Sequence, residues 1–273
     1  MKPSTPPEIG RALPFSQYDG RGYRTVSVEE GYRDWSKTYA GFPRCFDLDL
    51  FDRSALLAAR LRGDHEGDHE RPPGSPTHVD GACFADLGCG TGRIGGYLKE
   101  AGARVVRGVD RCPEMLQEAT RRGCYEALHL ADMTSTGLEG GAHDGVITSM
   151  ALCHVADLDA FYREARRLLR GTQAASAGRS NRAEGLLAIV DFHPFFLLRG
   201  IPTHFDHPES GEPIAIVNHV HSLSDHFSAG RRAGFTLQEF EERFVDDAWT
   251  AALPNYTKYL GWPITFLLVL ETA

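Results

Sequence analysis

Several large protein classes are excluded by what this chain has little of. No apolar run approaches the roughly 20 residues that a membrane-spanning helix needs. The longest near the end, Phe266 to Leu270, has the length of a buried strand. Basic residues are in the minority: 29 Lys and Arg against 37 Asp and Glu give a formal charge of −8. That argues against a general nucleic-acid or anionic-membrane binder, which needs a net basic footprint, and leaves room only for a local basic patch. The six cysteines (45, 83, 89, 112, 124 and 153) show neither C-x-x-C spacing nor the density of a disulfide scaffold, so a reduced, cytoplasmic setting is expected. The opening MKPSTPPEIG has no apolar h-region of a secretory signal. No long-period repeat marks a solenoid.

What is present is a chain of 273 residues, 42% hydrophobic and 24% charged, long enough for a sizeable core in one large or two modest domains. Residues 1–22 read as a mobile lead-in, and 63–80 and 171–184 as polar loops. Between them apolar runs alternate with helical stripes. Strands are expected at 82–87, 104–109, 127–130, 145–149 and 185–192, and helices at 93–101, 113–122 and 158–170. This order means βαβ units and a parallel sheet with helices on both faces. After a less regular stretch at 193–220 come a helix at 222–233 and strands at 236–245 and 264–270, with no helix between them, free to pair antiparallel at one edge. The fold class is open-sheet α/β.

Asp86-Leu-Gly88-Cys-Gly90-Thr-Gly92 sits where the first strand meets its helix. Glycines there let the chain turn tightly and bring its backbone against a ligand. Asp110 ends the next strand, eighteen residues beyond Gly92, where an acid can accept hydrogen bonds from both ribose hydroxyls. Asp132 follows the third strand, placed to receive a base amino group. The spacing is G-x-G-x-G and not the G-x-G-x-x-G of dinucleotide enzymes, which argues against a nicotinamide-dependent oxidoreductase.

The ordered series ADLGCGTG, GVD, LADM, HDGVITSMALCHV and FYREARRLLRG resembles the class I S-adenosylmethionine-dependent methyltransferases, most strongly their small-molecule enzymes. The likeness covers residues 82–192 well and 229–241 more loosely. It implies a Rossmann-like, mostly parallel seven-stranded sheet with an antiparallel edge strand, and S-adenosylmethionine as cofactor. By the resemblance, Gly88, Gly90 and Gly92 pass beneath the methionine portion and Asp86 helps hold its amino group. Asp110 binds the ribose, with Arg111 beside it among the cofactor residues, and Asp132 and Met133 frame the adenine. Ser149 and Met150 flank the sulfonium. Met115 belongs either against the adenine or in the helix–sheet core.

The acceptor is less sharply marked. SMAL follows the fourth strand in place of the Asn/Asp-Pro-Pro-aromatic element of enzymes that methylate planar exocyclic amines. No paired acids there support a metal-bound catechol site, and His219-x-His221 alone is a weak metal signal, so no metal is expected. Six of the twelve histidines lie between His193 and His226, at the carboxyl edge of the sheet where ligands bind. Residues 193–220, with Phe195 and His219, are read as an acceptor-pocket insertion. His193 is the first choice for a general base and His154 the second, since an imidazole can take a proton at neutral pH. Tyr32, Trp35 and Tyr39 share helical spacing; Trp35 and Tyr39 are candidate lid contacts, the alternative being a helix packed on the sheet edge. The expected division is an amino-terminal part, 1–80, and a catalytic unit, 81–273. The leading expectation is methyl transfer to a small molecule, with no nucleic-acid or membrane partner. The alternatives are a non-catalytic cofactor-binding partner or a macromolecule methyltransferase.

Overall fold

In chain order, the elements are β1 (Leu13–Pro14), β2 (Arg24–Val26), α1 (Val28–Trp35), α2 (Leu48–Phe51), α3 (Ala55–Arg62), β3 (Cys83–Leu87), α4 (Arg93–Glu100), β4 (Val105–Asp110), α5 (Pro113–Arg122), β5 (Ala127–Leu130), β6 (Gly145–Ser149) and α6 (Leu158–Leu168). They continue with β7 (Leu186–Phe192), α7 (Pro194–Leu198), β8 (His204–Asp206), β9 (Pro213–Ile216), β10 (His219–Val220), α8 (Leu223–Arg232), β11 (Phe235–Phe244), α9 (Asp247–Ala252) and β12 (Pro263–Thr272). The structure, a computed structural model, describes residues 13–36, 38, 39, 43–62, 82–171 and 184–273. The expectations for 1–12, for the loop at 63–80 and for 172–183 lie outside them.

Seven strands form the main sheet in the order β11-β12-β7-β6-β3-β4-β5. The five from β3 to β7 run parallel, while β12 is antiparallel to both β7 and β11. The mostly parallel seven-stranded α/β sheet is therefore present, with one refinement: the reversed strand lies one place in from the edge. The burial of the two strands explains this. PITFLLVLET in β12 is apolar and almost wholly buried, as a strand covered on both faces must be. FTLQEFEERF in β11 is largely polar and half open to solvent, and takes the edge.

Side chains alternate between two apolar layers. Leu186, Ala188 and Val190 of β7 pack with Leu50, Leu57 and Leu98 of α2, α3 and α4. Leu187 and Ile189 face Phe161, Tyr162 and Leu168 of α6 and Ala229 of α8. Burying each such aliphatic side chain contributes about 1.5–3 kcal/mol. Helix starts follow local chemistry. The Asp157 carboxylate accepts from Ala160 N at 3.0 Å ahead of α6, and Ser222 and Asp225 form a capping box on α8.

The stretch at 193–220 is more regular than its sequence suggests. It folds as α7 and three short strands, two of which join the amino-terminal segment: β1 pairs with β10, and β2 with β9, which also pairs with β8. Residues 13–22 are accordingly not a loose lead-in. Phe15 is buried with Cys153, Leu197 and Val220, and that burial anchors them.

Candidate active site

The carboxyl ends of β3, β4, β5 and β6 open onto one cavity of about 490 Å³. It lies where the strand order reverses between β3 and β6, the usual ligand crevice of open α/β sheets. Gly88, Gly90 and Gly92 all have left-handed φ, +74°, +52° and +83°. Gly88 N and Cys89 N donate to Val109 O at 2.8 and 3.0 Å, folding the loop against β4. A Cβ on Gly88 would meet Ala151 Cβ at 2.7 Å, whereas one on Gly90 would meet nothing within 4 Å. Gly90 thus presents bare backbone to the open cavity.

Asp110 is fixed from two sides: Oδ2 accepts from Gly90 N at 2.8 Å and Oδ1 from Cys112 N at 2.9 Å. Burial raises its pKa, opposed by these backbone donors. Across the cavity Asp132 Oδ1 accepts from Thr134 N and Oγ1. Arg111 Nη1 approaches Asp132 Oδ2 at 3.5 Å while Nη2 pairs with Glu29 of α1, so one guanidinium spans the rim. Met150, after β6, is the one non-glycine residue with left-handed φ among those described, at 56°. Such a conformation costs on the order of 1–3 kcal/mol and is tolerated where the surroundings impose it; here Met150 N donates to Val190 O at 2.8 Å.

The other wall comes from α1, the turn at 152–154 and the chain at 217–219. Cys153 N donates to Asp191 Oδ2 at 2.9 Å, pinning the turn to the end of β7. His154 Nδ1 lies 2.6 Å from Val217 O and Nε2 lies 3.0 Å from Tyr32 Oη. A carbonyl only accepts, so the proton sits on Nδ1, and Nε2 receives the Tyr32 hydroxyl. Burial lowers His154 to about 4, so the ring is neutral at physiological pH. Burial likewise lowers His219 and raises the Tyr32 and Tyr39 hydroxyls.

Of the residues singled out in the sequence, Gly88, Gly90, Asp110, Arg111, Met115, Asp132, Met133, Ser149 and Met150 line the cavity, together with Tyr39, His154 and His219. Asp86 and Gly92 stand behind this lining. His193 is elsewhere, which corrects its place as first-choice base: Nδ1 caps α7 by accepting from Phe195 N at 3.1 Å, and Nε2 meets Glu242 Oε1 at 2.8 Å. With both ring nitrogens engaged away from the cavity, it holds α7 to β11. Phe195 is 40% exposed and packs on Trp262. The helix ends at Trp35, before Tyr39. Trp35 stacks between Tyr32 and Phe205 at 5.7 and 5.4 Å instead of lining the cavity, and Tyr39 packs edge-on against it.

Sequence reasoning passed over Tyr32 as a site residue, and also Asp47 and Arg93. Asp47 is fully buried; its Oδ2 accepts from Ser149 Oγ at 2.6 Å and pairs with Arg93 at the start of α4. A signal was available, because a cation at a helix N-terminus opposes the macrodipole and calls for a carboxylate partner.

Residues 85–173 match a family described as the methyltransferase domain. A curated relative, an uncharacterized 37.1 kDa transposon protein from Streptomyces fradiae, is 38% identical over 96 residues, 33% of this chain. That match spans only 28% of the relative's own length. Among solved structures, the chain is similar to an S-adenosylmethionine-dependent methyltransferase from Mesorhizobium loti, with 22% identity and a TM-score of 0.52, covering 70% of this chain and 91% of that one. It is also similar to magnesium protoporphyrin IX methyltransferase from Synechocystis, solved with bound S-adenosylmethionine, with 17% identity and a TM-score of 0.53 over 90% and 95% of the two chains. The cyclase SpnF matches comparably, with 16% identity and a TM-score of 0.55 over 92% and 98%. At these identities the structural likeness speaks for the fold, which hosts more than one reaction.

Proposed function

We propose that this chain, which is a class I S-adenosylmethionine-dependent methyltransferase with S-adenosylmethionine as its cofactor, methylates a nucleophilic atom of a small-molecule acceptor. The observation that carries the reading is the cavity of about 490 Å³ shared by the glycine-loop wall and the Tyr32–His154 wall. A compartment of that size, closed over by α1, suits a small ligand beside the cofactor.

The residues fit the cofactor's chemistry. Asp86 Oδ1 and Arg93 Nη1 flank the glycine loop, both buried without a partner. One is an acceptor and the other a donor, the pair that an amino acid's ammonium and carboxylate require. Gly88 and Gly90 leave room for the methionine portion, Asp110 accepts from the ribose hydroxyls, Asp132 and Met133 frame the adenine, and Met115 closes its far side. Arg111 completes this wall. When bound, the cofactor supplies a methyl group already activated by its sulfonium.

The chain's own task is placement and proton removal. Held in line near Ser149 and Met150, an acceptor gains roughly 7–11 kcal/mol from proximity and orientation alone. Tyr39 and His219 contact it. Where the nucleophile carries a proton, Tyr32 oxygen takes it as the Tyr32 hydroxyl proton passes to His154 Nε2. His154 is thus the base, acting through Tyr32. Residues 81–273 form the catalytic unit and the preceding part supplies its cover. Among the described residues no helix is long and apolar enough to cross a membrane. The six unpaired cysteines support action in the cytoplasm, and the net negative charge supports an acceptor other than nucleic acid.

The test uses S-adenosylmethionine carrying a labelled methyl group and a cell extract split into small-molecule and macromolecular pools. Label is expected in the small pool. Label confined to protein or RNA would overturn the acceptor class, and cofactor binding with no label transferred would favour a non-catalytic binder.

A further inference from the structure

Behind the glycine loop, Tyr125 occupies a space that three glycines leave for it. A Cβ on Gly95 would come within 2.3 Å of the Tyr125 ring, one on Gly108 within 2.9 Å and one on Gly92 within 3.0 Å. The two glycines inside α4, Gly95 and Gly96, are poor helix formers; Gly95 is explained by this ring. Tyr125 Oη accepts from Gly95 N at 3.2 Å and donates to Asp86 Oδ2 at 2.7 Å. Asp86 is 1% exposed, and its second oxygen, Oδ1, has no partner. One oxygen is thus committed and the other left with its acceptor capacity unused, in a setting where an unsatisfied polar atom is costly.

We propose that Tyr125 is a positioning residue for cofactor binding: by tying up Oδ2 it fixes the Asp86 carboxylate so that Oδ1 remains available to the ammonium at the methionine end. This rests on the cofactor reading above. The sequence places Tyr125 fifteen residues beyond Asp110, outside every motif of the series, and nothing in the cavity lining points to it.

The groups around Asp86 make the proposal measurable. Burial pushes Asp86 up to about 7; the Tyr125 hydroxyl, Arg93 and Gly95 N–H pull it down, and the Asp110 charge pushes it further up. The nearby thiols of Cys89 and Cys124 are held neutral by burial. An ammonium is received by the ionised carboxylate. Affinity therefore rises with pH through about 7 and falls again as the cofactor's α-amino group loses its proton near 7.8. Removing the Tyr125 donor weakens the ionised form of Asp86 and moves the acid limb upward.

Calorimetric titration of the whole chain with S-adenosylmethionine across the neutral pH range tests this. Tyr125→Phe keeps the ring between the glycines. It is expected to move the acid limb up by about one pH unit and to weaken binding on the order of tenfold at neutral pH. Asp86→Asn is expected to abolish the acid limb. Should Tyr125→Phe fail to fold, 3-fluorotyrosine at position 125, a stronger donor of nearly the same shape, is expected to move the limb downward. An acid limb unmoved in the folded Phe variant, or in the fluorotyrosine protein, would overturn the proposal, even if affinity dropped uniformly. Absence of binding by the wild-type protein at every pH would overturn the cofactor reading itself.

Discussion

Tyr32 on α1 and His154 after β6 stand 122 residues apart in the chain, with Tyr32 Oη 3.0 Å from His154 Nε2 and the rings edge to face. The pair joins the amino-terminal helix to the main sheet at the cavity itself. It is braced from outside by Val217, whose carbonyl holds His154 Nδ1 and whose N–H donates to Val26 O at 3.0 Å.

Tyr32→Phe retains the stacked ring and removes only the hydroxyl. For an acceptor that must lose a proton, kcat is expected to fall about 100-fold, with cofactor affinity little changed. His154→Ala is expected to lose a similar factor, and the double variant little more than either alone, because the two act as one relay. Single-turnover rates check this. Losses that multiply would assign the residues separate tasks.

The glycine loop separates steric from functional cost. Gly88→Ala combines left-handed backbone with a contact of 2.7 Å to Ala151 and should cost more than the roughly 1–2 kcal/mol of the conformation alone. Gly90→Ala carries the conformational cost but no clash within 4 Å. Its methyl enters the cavity, so affinity for S-adenosylmethionine should fall more than Tm does. Thermal melts and binding titrations of the two variants decide the matter, and equal ratios of stability loss to affinity loss would contradict it.

Asp47 is buried and neutralises Arg93. Asp47→Ala leaves that guanidinium without its carboxylate and also removes the acceptor for Ser149. A loss of about 3 kcal/mol or more is expected in urea unfolding. A loss below about 1 kcal/mol would match a surface ion pair and show that Arg93 finds another partner.

His226, 3% exposed, lies beside Tyr162, whose hydroxyl is 3.1 Å from Nδ1. Burial, reinforced by His221, lowers it to about 3, against about 6.5 in the unfolded chain. Between those values the unfolded state holds a proton that the folded state lacks. Stability from this group is therefore lost as pH falls, by about 1.4 kcal/mol per pH unit. His226→Gln escapes that loss, so the stability gap between wild type and variant should narrow steadily below about pH 6.5. A constant gap would mean that His226 accepts a proton in place.

The cavity wall built on the glycine loop was legible because it is nearly contiguous: the glycines, Asp110, Asp132 and Ser149 each lie at the end of a strand of one local βαβ series. The remainder depended on contacts between distant segments. His193 follows a strand end, a usual place for a catalytic base, but its N–H donates to Ile264 O at 2.7 Å and its ring turns toward Glu242. Both partners lie on strands whose position the local pattern does not set. Trp35 was visible as part of an aromatic face, but Phe205, which captures it, sits on a small sheet formed by two segments nearly 200 residues apart. Tyr125 carried no motif, and its meaning appears only once Gly92, Gly95 and Gly108 are seen around it.

The pairing of β1 with β10 and of β2 with β9 bears on how the lining of this cavity could be exchanged for one that takes a different ligand. One wall of the cavity is inherited as a single stretch of chain, roughly 86–150, and is free to stay constant. Apart from the turn at 152–154, the facing wall is written twice, in the amino-terminal strands and helix and again beyond β7, and each half supplies hydrogen bonds that complete the other. Transplanting either half alone from a relative would leave mismatched strand edges, so a change of ligand by recombination calls for both segments to travel together.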